Sequence, residues 1–226
     1  MERYLYEMHA HTSDVSPCAS VPAQEVVCVY EEAGYTGLVL TDHMSKRIFR
    51  QSGAPDESAP WKEKVDFFLR GYRKAKKSAR NIQVLLGMEI CFYENENDYL
   101  VYGFQEDFLY ENPDLLHLGI AAFSKLAHEN GLFIYQAHPF RNKMTVVSPS
   151  LLDGIEVHNA NPNHDSRNDI ALQWANKFGL KMVSGSDFHE SGAHARGGII
   201  LPEFVTTEKE LIGFLKNDPQ LIWSHF

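Results

Sequence analysis

Two hydrophobic patterns alternate along this chain. Short, nearly continuous apolar runs, bounded by glycine, proline or polar residues, predict strands that are buried on both faces. These runs lie at residues 3–9, 36–43, 83–90, 99–104, 132–139, 154–159, 181–189 and 197–202. Several of them end in a histidine or an acidic residue. A strand that is buried on both faces should stop at such a polar residue.

Between these runs, apolar residues recur every three or four positions, which is the period of an amphipathic helix. Such stretches lie at residues 23–33, 61–80, 113–129, 163–178 and 207–216. The first carries Val26, Val27 and Tyr30 on one face and stops at Gly34. Strands separated by helices of this length favour parallel β-α units, and about seven such units close into a barrel. The pattern therefore predicts an α/β barrel as a single domain over residues 1–226.

Composition and charge argue against several classes of protein. The net charge of −9 at pH 7 is unfavourable for a stable nucleic-acid partner held by a general basic surface. The acidic N-terminal segment does not resemble a signal peptide, and no apolar run approaches the ~18 residues of a membrane span. The 3 cysteines are widely spaced, which is typical of a reducing compartment. We therefore expect a cytoplasmic protein without a membrane partner, and the sequence predicts no particular oligomeric state.

Histidines and acids stand where the predicted strands end. His9 and His11 are two residues apart on an extended run, so their imidazoles point to the same face. Asp187 and His189 repeat this spacing. In a parallel β/α barrel the carboxyl ends of the strands meet at one rim. We therefore expect seven side chains to converge there: His9, His11, His43, Glu89, His138, Asp187 and His189.

This set of donor groups favours divalent metal ions. Imidazoles and carboxylates without cysteine suit Zn²⁺, Mn²⁺ or Fe²⁺. One cation needs only about three or four protein ligands, so a set of this size predicts two or three metal ions close together. Bound cations would also let an acidic protein accept an anionic substrate.

The order of these residues resembles the motifs of a known family. The relevant segments are His9-x-His11-Thr12, Thr41-Asp42-His43, Gly87-x-Glu89, Ala137-His138-Pro139 and Gly185-Ser186-Asp187-x-His189. They are similar, in the same order, to the motifs of the PHP family, which is named for polymerase and histidinol phosphatase domains. The resemblance spans roughly residues 4–200. It implies a distorted, TIM-like (β/α)7 barrel with two or three metals that hydrolyse phosphoesters.

The resemblance also assigns metal ligands. It implies a first ion held by His9, His11, Glu89 and Asp187. Glu89 would bridge to a second ion, which His138 also binds, and a third ion would be held by His43 and His189.

Two positions depart from the fullest family pattern. Asp98 stands five residues before Gly103, where many members have a histidine, and we expect its carboxylate on the second ion. Asp14 is the candidate in the segment after His11 where members with three metals often place a further ligand. A turn or helix cap is the alternative role for Asp14.

By this resemblance, the chain is expected to be a phosphatase or phosphodiesterase. Its substrate would be a small phosphorylated metabolite, such as a histidinol-phosphate-like compound or a nucleotide phosphoester. A metal-bound hydroxide would be the nucleophile, because bound cations lower the pKa of water. The residues expected to take part in catalysis are Asp187, His189, Arg141 and Arg196. The alternatives are a metal-dependent amidohydrolase and a non-catalytic, metal-stabilised regulatory module.

Several further residues are candidates around the metals. Arg141 and Arg196 follow metal motifs, and their planar guanidinium groups suit a phosphate. Strand alternation places His158 inward with Glu156, so His158 and its neighbour Asn159 are predicted to line the substrate pocket. Asp42 is predicted to orient His43 or a neighbouring ligand. His194 could donate a proton to the leaving group, with a loop position as the alternative. Four other histidines are expected to lie outside the site: His117, His128, His164 and His225.

Overall fold

Strands form the centre of the molecule in this computed structural model, which describes residues 2–223. His225 therefore lies outside the described residues. Within that range the strands are β1 (Tyr4–Ala10), β2 (Gly37–Leu40), β3 (His43–Met44), β4 (Gln83–Cys91), β5 (Asp98–Tyr102), β6 (Phe133–Gln136), β7 (Gly154–Asn159), β8 (Lys181–Gly185), β9 (Gly197–Leu201) and β10 (Gln220–Trp223). They make one sheet in the order β10-β9-β1-β2-β4-β5-β6-β7-β8, and β3 pairs with β4.

Helices cover the outside of this sheet. They are α1 (Ala23–Glu32), α2 (Trp61–Ser78), α3 (Glu106–Glu111), α4 (Gly119–Glu129), α5 (Asn168–Phe178) and α6 (Glu208–Leu215). The predicted helix at 113–129 begins only at Gly119, whose φ of +68° lies outside the helical region. Helix α3 and strand β10 were not predicted from the sequence. No helix within residues 2–223 has both the length and the apolar character that a membrane crossing requires.

The two ends of the sheet meet and nearly close a barrel. Just beyond β8, Phe188 forms a parallel bridge with Ala10 of β1. The backbone N–H of His11 donates to the carbonyl of Phe188 at 3.1 Å, and the N–H of Phe188 donates to the carbonyl of His9 at 3.2 Å. The barrel prediction is therefore confirmed. The closing contact also places the segment after β8 beside His9 of β1 and His11, which directly follows β1.

Two apolar cores hold the barrel together. One fills its interior with alternate residues of strands around the sheet, among them Met8, Leu100 and Tyr135. The other packs the outside of the sheet against the helices, with Val26, Phe68 and other buried residues. Alternation along each strand allows both cores, because successive side chains point to opposite faces.

The sheet is mixed rather than wholly parallel. Strand β5 is antiparallel to both β4 and β6, and β9 is antiparallel to β1 and β10. The connection from β4 to β5 covers only residues 92–97, which is too short for a parallel crossover. Because β5 is reversed, its first residue, Asp98, lies at the rim where the neighbouring parallel strands end. Asp98 is opposite Cys91 of β4, and its carbonyl accepts a hydrogen bond from Ala137.

Candidate metal centre

The structure brings all seven predicted strand-end residues together at one rim of the barrel. Ligand atoms of five of them, together with one of Asp98, form overlapping groups, and within each group every atom lies within 4.8 Å of the others. These groups are His9, His11 and Glu89; His43, Glu89 and Asp98; and His11, His43 and His189. Glu89, His11 and His43 each belong to two groups, so the groups form one continuous cluster.

Glu89 lies at the centre of this cluster. Its Oε1 is 3.4 Å from Nε2 of His9 and 3.1 Å from Nε2 of His138. Its Oε2 is 3.3 Å from Nε2 of His11 and 3.0 Å from Nδ1 of His43. The two oxygens of one buried carboxylate thus face different pairs of imidazoles. A carboxylate placed in this way would be able to bridge two cations.

Asp187 closes the other side of the cluster. Its Oδ1 lies 3.3 Å from Nε2 of both His9 and His11, and 3.4 Å from Nδ1 of His189. Its Oδ2 accepts a hydrogen bond from Nη2 of Arg141 at 2.7 Å. Oδ1 is therefore directed at the histidines while Oδ2 is held by the protein.

The backbone is strained at two of these residues. His138 has a φ of +30° and Asp187 a φ of +49°, in the left-handed region that side chains other than glycine rarely adopt. Such a conformation costs on the order of 1–3 kcal/mol and persists where the surroundings enforce it. Here the surroundings are Glu156, which accepts from the backbone of His138, and Arg141, which binds the carboxylate of Asp187.

Glu156 supports the ligands from behind, and the sequence analysis did not assign it to the site. Its Oε1 lies 2.8 Å from Nδ1 of His9, and its Oε2 accepts from the backbone N–H of His138 at 2.9 Å. A hydrogen bond from Nδ1 of His9 leaves Nε2 free to face Glu89 and Asp187. The signal was present in the sequence, because Glu156 is an inward acid near the end of a predicted strand.

The carboxylates of the cluster and the imidazole of His11 have the protonation states of a metal site, while Glu156 and Glu89 raise the pKa of His9 and of His43, respectively, despite burial. Burial favours the neutral form of Glu89, but the imidazoles of His43 and His9 hold its pKa well below the ordinary value. The pKa of Asp187 is likewise low despite burial, because of His9 and His189. Burial, with the neighbouring His189 and His43, lowers the pKa of His11 well below its usual range. Ionised carboxylates and a neutral imidazole are the forms that bind divalent cations.

Unpaired buried atoms test whether these residues fit a metal ion. Nε2 of His9, Nε2 of His11 and Oε2 of Glu89 are buried and have no well-aligned hydrogen-bond partner. Buried polar atoms without partners are rare, because leaving them unpaired costs about 1–3 kcal/mol each. All three atoms face one another within the cluster. The residues therefore fit divalent cations, which would satisfy these atoms together.

The two departures from the family pattern have different outcomes. Asp98 lies in the cluster with His43 and Glu89, and its Oδ2 is 4.0 Å from Nε2 of His138. Asp14 does not join it. Oδ2 of Asp14 accepts from the backbone N–H of Ala23 at 2.8 Å, and Oδ1 pairs with Nζ of Lys74 at 2.6 Å. Oδ2 thus binds the first N–H of α1, which is the helix-capping alternative, and Oδ1 is held by Lys74 of α2.

His158 does not line the pocket that the sequence predicted. The pairing of β7 with β8 shifts register between Glu156 and His158, so strand alternation breaks at that point. The imidazole of His158 consequently packs against Trp223, with ring centroids 5.0 Å apart. Asn159 turns inward instead, and its Nδ2 donates to Oδ2 of Asp187 at 3.1 Å. The prediction was therefore wrong for His158, while Asn159 lies at the site.

The two candidate arginines are placed differently. The side chain of Arg141 is 16% exposed, and its Nη2 also lies 3.1 Å from Oδ1 of Asn159. Its Nε is buried without a hydrogen-bond partner. Nη2 of Arg196 donates to the carbonyl of Gly192 at 3.3 Å, on the loop between β8 and β9. Arg141 directly contacts the cluster through Asp187.

Asp42 is connected to two histidines of the cluster through hydrogen bonds to the loop after β1. Its Oδ1 accepts from the backbone N–H of Thr12 and from Oγ of Ser16, both at 2.7 Å. Oγ of Ser16 in turn accepts from the backbone N–H of His43 at 3.1 Å and lies 3.5 Å from Nδ1 of His11. Asp42 therefore orients both ligands through Ser16.

Comparison with known proteins identifies the family. The model of the PHP domain matches residues 7–196, which is most of the chain. The chain belongs to the PHP domain family. A search of curated proteins finds no match to it.

Solved structures share the fold of this PHP domain at low sequence identity. A two-domain protein from Bacteroides vulgatus, which contains a predicted PHP-like metal-dependent phosphoesterase, is 16% identical with a TM-score of 0.70. The alignment covers 99% of this chain, which spans 65% of the length of that protein. PsfC from Pseudomonas syringae is 12% identical with a TM-score of 0.71, covering 99% of this chain and 93% of its own.

A third structure carries a different functional name. It is an amidohydrolase from Chromobacterium violaceum with bound sulfate and no metal. It is 14% identical, with a TM-score of 0.53, and the alignment covers 93% of this chain and 96% of that one. At these identities the neighbours show the shared fold.

One cysteine that the sequence analysis left out of the site, Cys18, lines a small cavity at the rim together with His43 and Asp98. Burial alone would raise the pKa of the Cys18 thiol, but its hydrogen bonds to His189 and His43 lower that pKa to about 6. The loop after β1 carries Cys18 to this position. A cysteine in a polar loop gives no periodic signal, so the sequence pattern did not reveal it.

We expect the alkylation of Cys18 in metal-free protein to follow this lowered pKa. The rate should rise with pH around a midpoint of about 6, because the thiolate is the form that attacks iodoacetamide. Peptide mass spectrometry after timed alkylation measures the rate at each cysteine separately. Cys18→Ser should remove the reaction with this midpoint. A midpoint for Cys18 near 9, the ordinary value for a thiol, would contradict the expectation.

Proposed function

We propose that this PHP domain is a metal-dependent phosphoesterase that hydrolyses a small phosphorylated metabolite at a centre of two or three divalent ions, with Zn²⁺, Mn²⁺ and Fe²⁺ as the candidates. The observation that supports this most strongly is the contact of one carboxylate, Glu89, with four imidazoles. A bridging carboxylate places cations close enough together to act on one phosphoryl group. Membership of the PHP domain family agrees with this reaction class.

The cations, when bound, lower the pKa of water to supply a nucleophile at neutral pH and neutralise charge on the phosphoryl oxygens. The chain's own residues would bind these ions and orient the ligands around them. Glu89 and Asp187 supply the negative charge that retains the ions, and Glu156 fixes the ring of His9. His43 and His189 are 19% and 17% exposed, so they face the side from which substrate enters.

Arg141 is the residue that we assign to the substrate's phosphate. Its guanidinium lies at the rim, where Nη2 is held by Asp187, Asn159 and Ser166. This anchoring leaves Nε, which is buried and unpartnered, as a donor for an anionic oxygen. A planar, fixed guanidinium recognises phosphate with little loss of side-chain entropy. Arg196 remains a candidate further out, on the loop between β8 and β9.

A substrate panel tests the proposed function. Purified protein loaded with Mn²⁺ should release p-nitrophenol from p-nitrophenyl phosphate, from bis-p-nitrophenyl phosphate, or from both. His138→Ala should lower this rate by ~10²-fold or more, because the second ion loses a ligand. His128→Ala is the matched control, since His128 is 44% exposed and pairs with Asp153 away from the cluster. Equal rates in the two variants would contradict the assignment.

An amidohydrolase is the second candidate. It is favoured by the Chromobacterium violaceum structure, which shares the fold and is named for that activity. Cleavage of amide substrates alone, lost in His138→Ala, would replace our proposal with this one. Metal binding without turnover on phosphate or amide substrates would favour a non-catalytic, metal-stabilised module.

A further inference from the structure

Arg47 lies at the rim of the barrel, three residues beyond the short strand β3 that carries His43. The next two residues, Ile48 and Phe49, are buried in the core between sheet and helices. The backbone N–H of Arg47 donates to Oγ of Ser45 at 3.3 Å. The backbone of Arg47 is therefore held in place, while its side chain is 65% exposed.

This arginine borders the metal cluster. Arg47, His43 and Asp98 line one cavity of about 70 Å³ at the rim. His43 and Asp98 also belong, with Glu89, to one of the groups of potential metal ligands. Arg141 contacts the cluster elsewhere, through Asp187. Two arginines thus approach different parts of one cluster.

A carboxylate already binds the guanidinium of Arg47. Its Nη2 donates to Oε2 of Glu96, in the turn between β4 and β5. The side chain of Glu96 is 46% exposed, and ion pairs between exposed side chains contribute little to stability. A ligand can therefore replace Glu96 at small cost. Arg73 on α2 differs, because two carboxylates bind it together.

We propose that Arg47 binds a carboxylate group of the substrate, which replaces Glu96 when the scissile phosphate lies at the cluster. The inference deepens the proposed function and rests on it, because the phosphate must bind at the ions and Arg141. A guanidinium can bind both oxygens of a carboxylate through parallel hydrogen bonds. The cavity beside Arg47, about the liquid volume of two water molecules, has room for a group of this size. The substrate class is therefore the phosphoesters of small hydroxy acids or amino acids.

Three matched pairs of substrates test this proposal, with increasing distance between the phosphate and the second group. Phosphoglycolate is compared with ethyl phosphate, O-phosphoserine with O-phosphoethanolamine, and O-phosphotyrosine with O-phosphotyramine. In at least one pair, protein loaded with Mn²⁺ should favour the member with the carboxylate by at least ~10-fold in kcat/KM, because hydrogen bonds between charged groups are strong. Arg47→Ala should abolish this preference. Arg50→Ala is the matched control, since Arg50 lies on the same loop, is 63% exposed and pairs with Glu57, and it should keep the preference.

A second variant separates binding from a structural role of the ion pair. Glu96→Gln removes the carboxylate that competes for Arg47. It should therefore lower the KM of the preferred carboxylate substrate by ~2–5-fold relative to that of its matched partner. If Arg47 and Glu96 only fasten the loop to the turn between β4 and β5, this variant should change both KM values equally.

The measured preferences support or overturn the proposal. The absence of a preference in all three pairs, or a preference that survives in Arg47→Ala, overturns it. Ethylene glycol bisphosphate carries a second phosphate where ethyl phosphate has a methyl hydrogen. A preference for this compound that depends on Arg47, without a preference for any carboxylate, would replace the carboxylate with a phosphate and overturn the assignment.

Failure of the proposed function would look different. Hydrolysis of p-nitrophenyl phosphate without a preference in the matched pairs overturns this inference alone. If no phosphoester is hydrolysed, the proposed function fails. Calorimetric Kd values of the same pairs, on protein loaded with Mn²⁺, then still measure the preference and its dependence on Arg47. Equal Kd values within every pair would overturn the role of Arg47 as well.

Discussion

Glu89→Gln is expected to abolish metal-dependent hydrolysis, with a loss of ~10³-fold or more in kcat, equivalent to ~4 kcal/mol of transition-state stabilisation. Glutamine preserves the volume of the side chain but removes its charge and one acceptor oxygen. In the wild type, each of the two oxygens of the Glu89 carboxylate faces two imidazoles at 3.0–3.4 Å. An amide in its place therefore disturbs both ion positions at once. Turnover of p-nitrophenyl phosphate and the metal content per chain, measured by elemental analysis, check the result.

A matched control separates this effect from a general loss of acidic charge. Glu129→Gln removes the same charge from an exposed carboxylate at the end of α4, where it lies 4.0 Å from Lys125. That variant should retain wild-type turnover and metal content. A Glu89→Gln protein that bound the full complement of metal and kept a tenth of the wild-type rate would contradict the bridging role.

Glu7→Ala is expected to lower the free energy of unfolding by ~3–5 kcal/mol, the largest stability effect that we predict. The Glu7 carboxylate is fully buried beneath the cluster. Its Oε1 accepts from the backbone N–H groups of Met8, His9 and Ser186, and its Oε2 accepts from the hydroxyl of Tyr30. Removing it leaves these buried donors unpaired, at the place where β1 meets the segment after β8.

Urea denaturation followed by circular dichroism measures this change. Glu203→Ala is the control, because Glu203 is exposed on the loop after β9 and its removal should change stability by less than ~0.5 kcal/mol. Because Glu7 also holds the backbone of His9, the alanine variant should bind metal more weakly even where it remains folded. A loss of less than ~1 kcal/mol would show that water or a shifted side chain replaces the carboxylate.

Local patterns in the sequence were sufficient for much of the fold and of the candidate site. On an extended backbone a two-residue spacing places two side chains on one face, and this was sufficient to predict that His9 and His11 lie together. The end of each apolar run likewise located Glu89 and His138. Because β/α units bring strand ends to one rim, local prediction of the strands was enough to predict that these residues converge.

Other parts of the site depend on contacts between distant segments. Asp98 reaches the rim because β5 runs antiparallel to its neighbours, and His158 leaves it because of a bulge in its pairing with β8. Neither strand direction nor register shift is encoded by the alternation of a single strand.

The loop after His11 shows most clearly what local sequence patterns do not predict. Its sequence offers Asp14 as a metal ligand, and only the folded chain assigns that carboxylate to α1 and Lys74. The sequence alone determined which side chains end the strands and which of them share a face, because side-chain direction along an extended backbone follows from residue spacing. The tertiary structure decided which loop residues join them, because that choice depends on hydrogen bonds between segments far apart in the chain.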